Sequence, residues 1–256
     1  MDWPSLGIML FLAAAGFAAA FIDSVAGGGG LIAVPALLMT GMPPDAALGT
    51  NKLGGTAAAL TSSSAFLASG NVDWRTVRLL FPLSFAGALL GTETVHLLSP
   101  EFLRPLVIVM LGVILVYTLF KKKAAASPAG DVHLTRKALR LLVPAAFAIG
   151  FYDGFFGPGT GSFLLFAFLL AGYGYVGASG NAKMLNLGSN LSSLLMFLLF
   201  GSVQFGSGII LALFMIGGAW TGSRFAIKRG AAWIKPLFAA VTAILIGKQL
   251  WDLLIG

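Results

Sequence analysis

Cysteine is absent from this 256-residue chain and charge is scarce: 10% of residues are charged, against 58% hydrophobic. The first absence excludes disulfides, thiolate metal sites and a cysteine nucleophile. The second excludes a soluble domain, which averages about 25% charged residues. No polar stretch exceeds residues 121–140, so no room is left for a separate soluble unit. The two histidines, His96 and His133, lie far apart in expected loops and read as solvated groups, so no metal site is expected. A glycine run is present, but no Gly-Lys-Ser/Thr follows it, which excludes a nucleotide-binding P-loop. The net charge of +7 does not call for nucleic acid, because positive charge in membrane proteins collects on cytoplasmic loops. Anionic lipid headgroups are the partner expected there.

What remains is apolar sequence in long runs. The start, Met1-Asp2-Trp3-Pro4, has no basic region ahead of its apolar run, so that run is expected to stay in the fold rather than be cleaved. Six segments approach the roughly 17–25 residues that span a hydrocarbon core: 46–68, 79–97, 102–120, 182–200, 207–222 and 232–254. Four shorter ones, 6–22, 31–39, 138–151 and 163–170, flank two glycine-rich breaks. Trp3, Trp74, Trp233 and Trp251 sit at expected span ends, where interfacial tryptophans belong.

The breaks are Asp23-Ser24-Val25-Ala26-Gly27-Gly28-Gly29-Gly30 and Asp153-Gly154-Phe155-Phe156-Gly157-Pro158-Gly159-Thr160-Gly161-Ser162. They belong to an internal repeat. Phe21 and Asp23 match Phe151 and Asp153 at an offset of 130; after one inserted residue the offset is 131, and Gly49, Lys52, Ser62 and Gly70 match Gly180, Lys183, Ser193 and Gly201. Gly87 and Gly91 match Gly218 and Gly222, a small-xxx-small spacing that reads as helix packing. Loop charge alternates between the halves. Arg75 and Arg78 have no basic counterpart in 202–206, while Glu93 and Glu101 face Arg224, Lys228, Arg229 and Lys235. That pattern is expected of inverted-topology repeats.

The expected fold is therefore an all-α polytopic membrane protein. It has two inverted repeats, each a glycine-broken hairpin followed by three transmembrane helices. One transporter domain covers 1–256, with repeat one at 1–123, a cytoplasmic linker at 124–136 and repeat two at 137–256. Both termini are expected outside.

Four charged residues are left for the membrane interior: Asp23, Lys52, Asp153 and Lys183. Burying such a group costs at least ~2.5–3.5 kcal/mol by insertion scales, so these groups pair, line a cavity or neutralise. Alternative duties are snorkelling for the lysines and helix capping for the aspartates. The glycines interrupt the helix and leave N–H groups free at the following half-helix, which with the helix dipole makes an anion site. Ser24, Thr160, Ser162, Asn51, Asn181, Asn186 and Asn190 are near enough in sequence to supplement it. The expected substrate-binding set is Ser24, Gly27, Gly28, Gly29, Gly30, Asn51, Lys52, Gly157, Gly159, Thr160, Gly161, Ser162, Asn181 and Lys183. Asp23 and Asp153 are the expected ion-coupling pair. No cofactor is expected beyond a coupling proton or sodium ion. Tyr152-Asp153 matches half of an intramembrane aspartyl protease signature, but the Gly-x-Gly-Asp half is absent. An anion channel shares the lined-cavity signature.

Taken with Pro35 and with Gly49-Thr50-Asn51-Lys52, the two breaks resemble the TauE/SafE family of sulfite exporters, also called toluene sulfonate uptake permeases. Gly180-Asn181-Ala182-Lys183 repeats the lysine motif more loosely. The resemblance covers essentially the whole chain. It implies a transporter of the cytoplasmic membrane that moves sulfite, sulfoacetate or another organosulfonate, and no enzyme activity.

Overall fold

The computed structural model describes residues 4–120 and 135–229, and these form helices with no strand among them. The elements are α1 (Leu6–Ala26), α2 (Gly30–Met39), α3 (Pro44–Ala68), α4 (Trp74–His96), α5 (Pro100–Phe120), α6 (Arg136–Phe155), α7 (Thr160–Leu170), α8 (Tyr175–Leu199) and α9 (Phe205–Arg229). The expected span at 232–254, most of the linker, His133, Trp3, Trp233 and Trp251 lie outside the described residues.

Each break stops one helix and starts another. α1 ends where Gly27 takes φ 76° and Gly28 φ 98°, and α6 ends ahead of Gly157 at φ 97° and Gly159 at φ 92°. Side-chain-bearing residues avoid that region, so glycine is what permits each turn. The arms are unequal, which corrects the sequence boundaries. The flanks read as 6–22 and 138–151 extend to 21 and 20 residues, about 30 Å of helix and enough to cross a hydrocarbon core. α2 and α7, with 10 and 11 residues, reach about half as far.

Leu6–Ala26, Arg136–Phe155 and Phe205–Lys228 are long and apolar enough to span on length and composition alone. α3 and α8 have the length, at 25 residues each, but carry the lysines and asparagines. They compensate by position, packed on each other at the centre and sheltered by α9 and α4. Outward faces are apolar: Leu10, Leu60, Val113, Leu199, Leu213 and Trp220 are all exposed. Buried positions, in contrast, include Lys52, Asn51, Asp153, Lys183, Asn186 and Asn190. Apolar outside with polar groups inside is the arrangement a bilayer requires. Among the described tryptophans, Trp74 opens α4 and is exposed, as a span-end residue should be. His96 is not a loop residue: it closes α4 and stacks on Phe200 with ring centroids 3.7 Å apart.

The two halves interlock. α9 of the second half packs along α1 and α3 of the first, while α4 of the first packs along α6 and α8 of the second. The apolar core divides accordingly. One cluster joins Leu12, Ala19, Leu31, Leu37, Leu211 and Met215, and another joins Val77, Leu80, Ala146, Leu164, Phe168 and Leu185. Equivalent residues make equivalent, exchanged contacts. A Cβ on Gly87 or Gly91 would stand 2.2 or 2.0 Å from the carbonyls of Phe147 and Phe151; on Gly218 or Gly222 it would stand 2.2 or 2.4 Å from those of Phe17 and Phe21. Close backbone approach of this kind is what small residues at helix interfaces allow. The Asp73 N–H donates to Asn181 (2.8 Å) and its equivalent, the Gln204 N–H, donates to Thr50 (3.0 Å). Contacts of the form i to j′ with j to i′ are the mark of a twofold relation.

Candidate functional site

The two breaks meet at the centre of the bundle. Gly27 lies so close to Gly161 and Ser162 that a Cβ on it would fall 2.2 Å from the Ser162 nitrogen. The Ser162 hydroxyl donates to the Ala26 carbonyl at 2.9 Å. A Cβ on Gly30 would meet Pro158 at 3.0 Å. Glycine here allows backbone to approach backbone, a purpose separate from the positive φ.

Each membrane-interior lysine reaches the aspartate of the other half. Lys52 Nζ sits 2.9 Å from Asp153 Oδ1 and donates also to the Asp153 carbonyl at 2.5 Å. Lys183 Nζ sits 2.5 Å from Asp23 Oδ2. Lys52 is 1% exposed and Lys183 3%, so neither snorkels to a headgroup. Buried charges are held in this way because the desolvation cost is offset only by a close, well-hydrogen-bonded partner. Asp23 also caps its own break: its Oδ1 accepts the N–H groups of Gly28 (2.9 Å) and Gly29 (3.1 Å). Asp153 does not. Among the described residues its Oδ2 receives only the Asn190 amide, at 3.3 Å, and the second break is tied instead by Tyr152 to the Pro158 carbonyl and Thr160 to the Gly157 carbonyl.

Between these pairs lies a cavity of about 30 Å³, room for roughly two waters. It is lined by Asp23, Gly28, Gly29, Gly30, Asn51, Gly55, Ala58, Asp153, Gly157, Gly159, Thr160, Gly161, Asn186, Asn190 and Met215. Ten of the sixteen residues expected from sequence are on that wall. The other six are placed elsewhere. Lys52 and Lys183 stand behind the carboxylates; Gly27 and Ser162 form the junction of the breaks; Asn181 holds the loop at Asp73; Ser24 is buried with its hydroxyl unpartnered among the described residues.

The N–H groups of Gly30 and Gly161, equivalent positions in the first turns of α2 and α7, find no acceptor among the described residues. Asn51 is 6% exposed and its Oδ1 likewise has no partner there. An unsatisfied buried polar atom such as this oxygen is costly and uncommon, and Asn51, Gly30 and Gly161 all line the one cavity. Asn186 and Asn190 reach it because they share a face of α8 with Lys183, at spacings of three and four. That spacing was the available signal for them. Met215, from α9, had none.

A second cavity of about 260 Å³ lies apart from this centre, lined by Asp45, Leu48, Val95, His96, Leu98, Leu103, Phe197, Phe200 and Ser202. No group of three or more metal-ligating side chains occurs among the described residues.

Apolar helices around buried ion pairs, with half-helices broken at a central polar cavity, define a polytopic membrane transporter. Comparison with known proteins makes the class specific. The family model for the sulfite exporter TauE/SafE matches residues 12–248. A probable membrane transporter protein of Sinorhizobium, ORF9, is 39% identical over 251 residues, 96% of this chain and 93% of that protein. A probable membrane transporter protein of Haemophilus influenzae is 36% identical over 250 residues, 96% of each chain. The probable membrane transporter protein YfcA of Escherichia coli K12 is 35% identical over 248 residues, 96% of this chain and 90% of that one. No solved structure matches. The chain belongs to the TauE/SafE family: it is a multi-pass membrane transporter with a small-molecule substrate, not an enzyme.

Proposed function

We propose that the protein is a secondary transporter of a small anion, sulfite or an organosulfonate, working by alternating access in the cytoplasmic membrane with coupling to protons or sodium. The observation that carries this reading is the pair of acceptor-less N–H groups, Gly30 and Gly161, opening two half-helices onto one cavity. Free N–H groups at the positive end of a helix dipole favour an anion. Thr160, Asn51, Asn186 and Asn190 supply further hydrogen-bonding groups. The lysines act by neutralising Asp23 and Asp153 rather than by meeting the substrate, and a carboxylate that takes up a proton or a sodium ion releases its lysine.

Reciprocal contacts between the halves support two repeats of inverted topology, with residues 71–78 and 121–140 inside and both termini outside. Single cysteines at Gly130 and Ser202, in a chain that has none of its own, should label with an impermeant thiol reagent from opposite sides. Labelling from one side overturns the inversion. The functional test is flux in liposomes, screening sulfite, sulfate, thiosulfate and small sulfonates under imposed proton and sodium gradients. Saturable uptake that supports counterflow is the expected result. Unsaturable flux without counterflow would make the protein a channel, and no anion flux under any gradient would remove the reading.

A further inference from the structure

The central cavity and the second cavity of about 260 Å³ lie along shared faces of α3 and α8. On α3, Asn51 and Gly55 line the first, while Asp45 and Leu48, in the preceding turns, line the second. On α8, Asn190 lines the first, and Phe197 and Phe200 line the second. Spacings of three, four and seven put these positions on one face of each helix. The second cavity has a polar mouth, where His96 is exposed and Asp45 and Ser202 are half-buried. Its floor is apolar: Leu48 and Phe197 are buried there. Leu194, between Asn190 and Phe197 on α8, belongs to the same apolar cluster as both. Leu48 and Leu194 stand one turn outward of Asn51 and Asn190, about 4.5 and 6 Å along their helices. A single apolar layer therefore separates the two cavities.

The opposite side of the central cavity is built from the equivalent positions but not the equivalent residues. At the offset of 131, Leu48 corresponds to Ser179 and Leu194 to Ser63, while Phe197 corresponds to another phenylalanine, Phe66. Both serines are buried, and neither hydroxyl has a hydrogen-bond partner among the described residues. Buried polar groups without a protein partner are satisfied by water. The ion pair on that side is also the less sealed. Lys183 is one turn from Ser179, and the side chain of its partner Asp23 is 17% exposed; Lys52 is one turn from Leu48, and the side chain of Asp153 is 3% exposed. α8 starts on the serine side, where the Tyr173 hydroxyl donates to Asp73 beside Arg75 and Arg78. That is the cytoplasmic side on the topology proposed above.

We propose that Leu48, Leu194 and Phe197 form the outer gate of the transport route, that the larger cavity is its outer vestibule, and that the serine layer is the hydrated connection to the cytoplasm. This rests on reading the central cavity as the substrate site. An apolar constriction sheds water and with it any ion, so a charged substrate passes the leucines only when α3 and α8 part there. Hydroxyls retain water in an equally narrow space. In this arrangement of the helices the route is dry on the outer side and wet on the inner one.

Cysteine accessibility tests this on the full-length chain in sealed vesicles of known orientation, because the chain has no cysteine of its own. The probe is a small, charged methanethiosulfonate, and Arg78→Cys and Ser202→Cys mark the two faces. Ser63→Cys and Ser179→Cys should label from the Arg78 face alone, and Leu48→Cys from the Ser202 face alone. Leu194→Cys, inside the dry layer, should react on the order of tenfold more slowly than Ser179→Cys from either face, as exclusion from water implies. Leu48→Ser with Leu194→Ser gives the outer layer the residues of the inner one, and Ser179→Cys in that background should label from the Ser202 face as well. If the serine pair does not fold, the single-cysteine pattern decides. Labelling of Ser179→Cys from the Ser202 face in the otherwise unaltered chain overturns the proposal. So does Leu194→Cys reacting as fast as Ser179→Cys, or no labelling of either serine position. Labelling needs no substrate: the gate can fail while anion flux in liposomes persists, and absent anion flux would remove the substrate reading whatever the labelling pattern.

Discussion

Asp23 and Asp153 hold equivalent positions in the two halves, and each meets a lysine from the other half, yet their oxygens have different duties. Asp23 uses one oxygen for Lys183 and the other for the N–H groups of Gly28 and Gly29. Remove it and both a buried pair and the cap of the first break are lost. Asp153 uses one oxygen for Lys52, and the other has, among the described residues, a single long contact with Asn190. Its break has been fastened by other means, Tyr152 and Thr160, whose equivalents in the first half are Ile22 and Gly29. One of the two carboxylates thus holds its own break, and the other does not. A carboxylate that caps no backbone N–H is the one that can change its protonation or its partner without releasing its break.

The largest effect expected from this contrast is on coupling. If protons drive transport, Asp153→Asn should abolish the pH dependence of flux in liposomes while saturable exchange persists, and Asp23→Asn should retain it. Full pH-driven flux in both variants would remove the aspartates from that role. Stability should order the other way. Either Asp→Ala change strands a buried lysine, at a cost of about 3–5 kcal/mol, but Asp23→Ala should lose about 1 kcal/mol more through its cap, and Lys52 keeps the Asp153 carbonyl in any case. Thermal melting of the two purified variants reads the difference, and equal losses would mean the two breaks are held alike.

Packing between the halves should respond symmetrically, since equivalent glycines make equivalent backbone contacts there. Gly91→Ala and Gly222→Ala place a methyl 2.0 and 2.4 Å from the Phe151 and Phe21 carbonyls, and each should cost about 1–3 kcal/mol by overpacking. A loss at one and none at the other would contradict the exchanged arrangement.

The smallest expected effect lies at the rim, where Asp73 faces Tyr173 and its equivalent, Gln204, carries no charge. Burial raises the Asp73 pKa, but hydrogen bonds from the Thr76 and Tyr173 hydroxyls and from the Thr76 and Arg75 N–H groups outweigh it and hold the carboxyl below its ordinary value. A depressed folded pKa stabilises above the unfolded value and is lost as pH falls through the folded one. Asp73→Asn should therefore flatten the acid limb of the melting-temperature profile slightly and leave neutral pH nearly unchanged. The Tyr173 hydroxyl, pushed up to about 12 chiefly by burial, stays protonated throughout.

Much of this was legible before any coordinates. Charge in an apolar chain is conspicuous, so Asp23, Lys52, Asp153 and Lys183 announced themselves, and the 130–131 offset followed from them. Glycine runs marked the breaks because no other residue tolerates such a turn. What sequence did not contain was the exchange. Lys52 follows Asp23 by 29 residues and Lys183 follows Asp153 by 30, so a pairing within each half fits the spacing as well as the pairing across halves that the fold makes. The lengths of α1 and α6 were missed because Asp23 and the residues after Phe151 read as the end of an apolar run, whereas helix continues until glycine stops it. Asn181 looked like a ligand-binding group beside Lys183, but one residue turns about 100° around a helix and carries it to Asp73. The free N–H groups of Gly30 and Gly161 were foreseeable in kind, and their convergence on one cavity was not.

The central claim is that the lysines cross between halves, and a set of double-mutant cycles on melting stability tests it most directly. Lys52→Met with Asp153→Asn and Lys183→Met with Asp23→Asn should each show coupling of about 1–3 kcal/mol, the double variants being more stable than the sum of their singles implies. The within-half combinations, Lys52 with Asp23 and Lys183 with Asp153, should be additive to within about 0.5 kcal/mol. Coupling within halves and additivity across them would contradict the account.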